Sequence, residues 1–223
     1  MSLFSAFRSG DPSLIFAVVF SRIFVVFFCL PIHELAHGWA AYKMGDSTAK
    51  NLGRLTFNPF VHLDLFGTIM LFLFGIGYAN PVPVTTRNFR NPKKGMIVTA
   101  LAGPGANVLM AFIFICLYYI ALFLPQSLAM MFIVSFLNYA AIINVSLAVF
   151  NLLPIPPLDG SKVIGFLIPT KTYFKILQYE RYIMIGLLAL LFTGALNAPI
   201  AFISNLLMKV ISFIPSLLFS LIG

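Results

Sequence analysis

The chain has 223 residues, of which 61% are hydrophobic and 9% charged, and its formal net charge is +8. Globular sequences average about 45–50% apolar and about 25% charged residues, so a soluble globular domain is excluded, as is a disordered or collagen-like chain. What remains is an integral membrane protein, whose positive excess reads as cytoplasmic Lys and Arg rather than a nucleic-acid surface.

The two cysteines, Cys29 and Cys116, lie in apolar runs, so no disulfide framework is expected. No small-residue cleavage site follows the apolar stretch from Leu14, so no removable signal peptide is expected. A crossing takes about 20 helical residues. Leu14 to Tyr42 is the first candidate. Arg22 interrupts it and either snorkels to a surface or marks where the crossing starts. Leu63 to Tyr78 is apolar but only 16 residues long, and Gly75 and Gly77 would let its backbone turn. Met96 to Leu124 and Leu128 to Leu153 are full crossings, the second stopped by Pro154, Pro156 and Pro157. Tyr182 to Leu196 and Ile200 to Ile222 read as a closing hairpin around Asn197 and Pro199, with Lys209 and Pro215 inside the last segment. There is no internal repeat, and residues 1–223 read as one membrane-embedded domain.

Charge sets the topology. Three basic groups stand out: Lys43, Lys50 and Arg54; Arg87, Arg90, Lys93 and Lys94; Lys162, Lys171, Lys175 and Arg181. If Leu63 to Tyr78 crossed the membrane, the first two groups would face opposite sides. If it is re-entrant, all eleven charges share one side and only Arg8 falls on the other, which the positive-inside rule prefers. The expected fold class is therefore an all-α polytopic membrane protein. It has about five transmembrane helices plus a re-entrant segment and a short extended or β region, the last two within 63–84. Re-entrant backbone needs shielding by protein or a water-filled cavity, which points to a wet site inside the bundle.

His33-Glu34-Leu35-Ala36-His37 is an HExxH sequence. On a helix, positions i and i+4 share a face, so both imidazoles can bind one metal ion, with Glu34 placed to take a proton from water there. Ionisable residues inside a span are costly and point to function. Pro31 just before the motif is expected to kink the helix. A catalytic zinc needs a third protein ligand and an open position. Lys43 occupies the position where one zinc-protease class places a third His, and Glu180 is the only other glutamate. Asp46, His62, Asp64 and Asp159 remain as candidates. Asp46 follows Gly45 and reads as a turn after the helix. Asp159 follows the rigid run Pro154-Ile155-Pro156-Pro157-Leu158 and precedes Gly160. That setting fits either a carboxylate held against a facing helix or an ordinary surface turn.

HELAH near the end of one span, with LPIPPLDG at the end of a later one, resembles the site-2 proteases, a family of intramembrane zinc metalloproteases. The resemblance extends to Gly53-Arg54-Leu55-Thr56-Phe57-Asn58-Pro59, His62-Leu63-Asp64, Asn80-Pro81-Val82-Pro83-Val84 and Ala102-Gly103-Pro104-Gly105-Ala106-Asn107. It is strongest to the compact branch without PDZ or CBS modules. It implies His33, His37 and Asp159 as ligands of one zinc ion, Glu34 as catalytic base, and a metal site within the bilayer near the cytoplasmic face.

The expected reaction is hydrolysis of a peptide bond in or near the transmembrane segment of a membrane-protein substrate. A helical substrate must unwind first, and Asn80, Pro81, Val82, Pro83 and Val84 offer an extended strip to hold it by strand addition; a plain rigid connector is the alternative. Asn107 and Asn151 can each donate to a developing oxyanion or bond between helices. His62 and Asp64 can line the cavity, orient a ligand or pair structurally. Arg87 to Lys94 is expected to anchor on anionic lipid headgroups. The competing functions are a metal or ion transporter, against which the absent repeat counts, a non-proteolytic metal-binding membrane protein, and hydrolysis of a small molecule or lipid.

Overall fold

Three of the four long helices begin at a short polar side chain that caps their free N–H groups. Asp11 accepts from Ser13 N, Asn91 from Lys94 N and Ser127 from Met130 N, at 2.9, 3.0 and 3.2 Å. Pro12 and Pro92 occupy the first helical positions of two of them, where the missing N–H costs nothing. The computed structural model describes residues 3–74, 79–125, 127–165 and 168–222 and, among them, twelve α-helices and no strand. In chain order these are α1 (Leu3–Ser9), α2 (Pro12–Phe24), α3 (Leu30–Lys43), α4 (Thr48–Asn51), α5 (Pro59–His62), α6 (Leu65–Phe74), α7 (Pro92–Leu122), α8 (Leu128–Asn151), α9 (Asp159–Ile164), α10 (Thr170–Leu177), α11 (Glu180–Phe192) and α12 (Asn197–Ile222).

A π-helical turn, Val25–Cys29, joins α2 to α3, so Pro12–Lys43 runs as one helix. Pro31 brings no N–H to this region, and the Leu30 N–H reaches back five residues to the Val25 carbonyl. The disturbance expected at Pro31 is thus a wide turn just before it. Pro12–Lys43, α7, α8 and α12 are long and apolar enough to cross a membrane. The fifth expected crossing, Tyr182 to Leu196, corresponds to α11. Its 13 residues span about 20 Å, short of the ~30 Å hydrocarbon layer.

α7 and α8 form the central hairpin. Val25, Cys29 and Leu71 pack with Met110 and Leu147 on one side of it. On the other, Leu187, Ile200 and Ile211 pack with Ala111, Ile115 and Val149. Phe219 lies against Tyr119 and Phe123, with ring centroids 5.4 and 4.5 Å apart. Since Ile211 meets the middle of α7 and Phe219 its end, α12 runs in the same direction as α7.

Two expectations are corrected. Arg22 does not snorkel: it is 2% exposed and donates to the Phe72 carbonyl on α6. A main-chain carbonyl accepts from the guanidinium inside the bundle, which draws it inward rather than to the surface. The short β region does not form among the described residues. Residues 65–74 are helical and 79–84 have no ladder partner, because two prolines in five residues remove the N–H groups a ladder needs. The turn expected at Gly75 and Gly77 lies outside the described residues. Asn80 N donates to the His62 carbonyl at 2.7 Å, so the chain before α6 and the chain after residue 78 meet.

Asp46 clasps the loops beside the motif helix. It is fully buried and accepts from Thr48 N, Thr85 N and Asn88 Nδ2 at 3.0, 2.6 and 2.9 Å. Burial raises its pKa, but the hydrogen bonds from Thr48, Asn88 and Thr85 outweigh this and hold the carboxyl below its ordinary value. A depressed folded pKa contributes stability above the unfolded value, and that stability is lost as pH falls through the folded value. Asp46→Ala is expected to cost about 3 kcal/mol by stranding the Thr48, Thr85 and Asn88 donors. It should also flatten the acid limb of a thermal-denaturation series in detergent, and an unchanged melting temperature would remove the clasp from the account.

Candidate metal centre

His33 and His37 stand one turn apart on the buried face of α3, and their Nε2 atoms are 3.0 Å apart. Asp159 Oδ2 lies 3.4 Å from the first and 3.0 Å from the second. Tetrahedral zinc with bonds of about 2.0–2.1 Å places its ligand atoms ~3.3 Å apart, so the spacing fits that ion. The proton pattern agrees. The Thr99 carbonyl can only accept, so His37 Nδ1, 2.7 Å away, must donate to it, and Nε2 keeps its lone pair. In neutral His37 that lone pair faces the Asp159 carboxylate oxygen inside a buried site, an arrangement that a cation stabilises. Among the described residues this is the one group of three metal-ligating side chains so arranged.

The sequence builds the approach from two close contacts. α7 lies so near α3 that a Cβ at Gly103 would sit 2.2 Å from His37 Nε2 and 2.6 Å from His33 Nε2. Asp159 opens α9 after the proline run, and a Cβ at Gly160 would fall 2.1 Å from the Leu152 carbonyl oxygen. Gly160 therefore serves close packing against the end of α8, rather than a left-handed turn. Lys162, one turn on, bonds the other Asp159 oxygen, Oδ1, at 2.9 Å. Burial raises the Asp159 pKa, and the neighbouring Lys162 ammonium opposes it. Burial likewise lowers the Lys162 pKa, and Asp159 more than reverses it.

Beside this group lies a cavity of about 320 Å³. Glu34 lines it and accepts the Val82 N–H through Oε2 at 3.1 Å. Asn80, Pro81, Val82 and Val84 line it too, with Asp64 and Asn151; Pro83 does not. Arg54 Nη2 donates to the Asn80 and Pro81 carbonyls at 2.8 and 3.2 Å. The other candidates for third ligand stand apart. Asp46 is in the clasp, His62 Nε2 donates to the Thr56 carbonyl at 2.8 Å, and Asp64 caps α6 through Gly67 N at 2.8 Å. Asn107 is buried one turn beyond Gly103 and does not line the cavity. Asn151 does, with Nδ2 donating to the Leu147 carbonyl at 3.0 Å.

Sequence reasoning missed Lys162, Thr99, Gly103 and Arg54 as parts of this site. The three-residue step from Asp159 to Lys162 was a usable helical signal. Thr99 acts through its carbonyl, which no side-chain pattern encodes.

The model of peptidase family M50 matches residues 21–125 and 119–194. A Bacillus subtilis protein provisionally named zinc metalloprotease YwhC is 41% identical over 165 residues, covering 73% of this chain and 75% of that protein. Rip2 of Mycolicibacterium smegmatis, with the same provisional title, is 29% identical over 173 residues, 75% of this chain and 65% of Rip2. MJ0611 of Methanocaldococcus jannaschii, also so titled, is 35% identical over 133 residues, 59% of this chain and 62% of MJ0611. No solved structure matches the chain. A family match across most of the chain, with the His–His–Asp group arranged for a metal, places this integral membrane protein in peptidase family M50, the site-2 proteases, which are intramembrane zinc metalloproteases.

Proposed function

We propose that His33 Nε2, His37 Nε2 and Asp159 Oδ2 hold the zinc ion and that Glu34 is the general base for cleaving a peptide bond in or near a substrate's transmembrane segment. The convergence of those three atoms beside Glu34 carries this reading. Bound zinc supplies Lewis acidity that makes water nucleophilic near neutral pH and polarises the scissile carbonyl. The Val82 N–H orients Glu34 through Oε2, leaving Oε1 to take a proton from the attacking water and pass it to the departing nitrogen. Lys162 occupies Asp159 Oδ1 and so leaves Oδ2 for the metal. Asn80, Pro81, Val82 and Val84 hold the unwound substrate along the cavity they line, with Asn151 as the oxyanion donor, since Asn107 does not line it. His62 and Asp64 support the segment through their bonds to Thr56 and Gly67.

The site belongs near the cytoplasmic face, because the three basic groups border it while Arg8 lies at the other end of the bundle. The Asn80–His62 hydrogen bond supports a segment 63–78 that enters and leaves on that side. Four helices then cross the membrane, and α11 reaches only part of the way. Arg87 to Lys94 lie where anionic headgroups would meet them.

Metal content of purified protein tests the ligand set. The wild type and Asp64→Ala are expected to hold about one zinc per chain. Asp159→Ala should lose it, since it removes one ligand and leaves the Lys162 ammonium unpaired beside two imidazoles. Zinc retained in Asp159→Ala, or lost from Asp64→Ala, would overturn the assignment.

A further inference from the structure

α12 carries a polar stripe that the bundle does not use. Asn205, Lys209, Ser212 and Ser216 are spaced four, three and four residues apart, which places them on one face of the helix. Asn205 and Lys209 are exposed, and Ser212 and Ser216 half-buried. The row that packs against the bundle is a different one, Ile200, Ser204, Ile211 and Pro215, about a third of a turn away. Ser212 and Ser216 donate to carbonyls of their own helix, those of Lys209 and Phe213, at 3.4 and 2.9 Å. The Lys209 ammonium and the Asn205 amide have no polar partner among the described residues.

Depth makes this costly. Phe219 marks the far end of α7, against Tyr119 and Phe123. Lys209 lies ten residues before it, about 15 Å along the helix, and twelve residues after the start at Asn197. That is near the middle of a ~30 Å hydrocarbon layer, too deep for its four-carbon stem to bring the ammonium to the headgroups. A lysine at such a place ordinarily faces a carboxylate or a wet cavity.

We infer that this stripe is a docking face for a transmembrane helix of another protein that bears a carboxylate near mid-membrane. Charge complementarity selects that partner over a second copy of this chain. All six acidic residues are spoken for or misplaced. Asp11 caps α2 at the far end, Asp46 is in the clasp, and Glu34, Asp64, Asp159 and Glu180 line the site cavity. Two copies meeting through α12 would set Lys209 against Lys209. The inference is independent of the zinc assignment.

The test uses full-length labelled protein in phosphatidylcholine vesicles with Leu/Ala transmembrane peptides carrying Asp, Asn or Leu at the central position, read by energy transfer. The Asp peptide is expected to associate at least tenfold more tightly than the Leu peptide. Lys209→Met should abolish that preference and Lys209→Arg should retain it. Lys209→Glu should prefer a peptide with a central Lys. Equal association of the Asp and Leu peptides, or a preference that survives Lys209→Met, overturns the inference. So does energy transfer between two copies that Lys209→Met abolishes. Rapid labelling of Lys209→Cys by a membrane-impermeant maleimide also overturns it, by placing α12 at the surface.

Discussion

Glu34→Gln is expected to keep its zinc and lose about a thousandfold in cleavage rate, the scale of a removed general base. The substitution is conservative in geometry. The carbonyl of the new side-chain amide can still accept the Val82 N–H that Glu34 Oε2 now accepts at 3.1 Å, so the cavity wall and the motif helix should stay as they are. An amide cannot take the proton from water, and that alone should be lost. The measurement is single-turnover cleavage of a transmembrane reporter in proteoliposomes, alongside zinc content and melting temperature. Glu34→Ala should add a loss of stability, because it also strands the Val82 N–H. Cleavage at the wild-type rate by Glu34→Gln would exclude Glu34 as the base. Loss of zinc from this variant would make Glu34 part of the metal's support.

Gly103→Ala should be more damaging still, without touching a chemical group. Its new Cβ would lie 2.2 Å from His37 Nε2 and 2.6 Å from His33 Nε2. Neither imidazole can yield freely, since His37 is tied to the Thr99 carbonyl and both sit on the same rigid turn of α3. Helices α3 and α7 must therefore separate or the ligand atoms must turn away, and the zinc should be lost with all activity. Gly105→Ala is the control two residues on. Nothing lies within 4 Å of its added Cβ, and alanine favours a helix over glycine by about 1 kcal/mol, so this variant should keep its zinc and melt no lower. Equal zinc content in the two variants would mean that α7 does not press on the site.

The contrast between these glycines marks what the sequence alone could express. His33, Glu34 and His37 are a local pattern whose consequence follows from helix geometry, and Asp159 is legible through the motif around it. Nothing in the sequence separates Gly103 from Gly105, because the difference lies in which face of α7 meets α3. Arg22 shows the same limit. Hydropathy registers a charge in a span but not the Phe72 carbonyl that accepts from it. α11 is ambiguous for another reason: a short helix packed on a bundle through Leu187 and Leu191 and a helix that crosses are both apolar, and its length, 13 residues, separates them. Asp46 read as a turn residue because its donors, Thr85 and Asn88, come from a loop about forty residues away.

The wide turn at Val25–Cys29 settles how one long helix can serve two neighbours at once. Buried residues in Pro12–Lys43 recur in adjacent pairs every four positions: 17 and 18, 21 and 22, 25 and 26, 29 and 30, 33 and 34, 37 and 38. In a regular helix a four-residue step overshoots a full turn by about 40°, so such a ladder would wind steadily off its partners. One five-residue turn takes back most of a residue's rotation, about 100°. The ladder is thereby re-aimed in the middle of its course. Arg22 above the turn meets α6, while His33 and His37 below it meet α7 and Asp159. A single continuous rod thus presents its inward edge correctly at both depths of the bilayer.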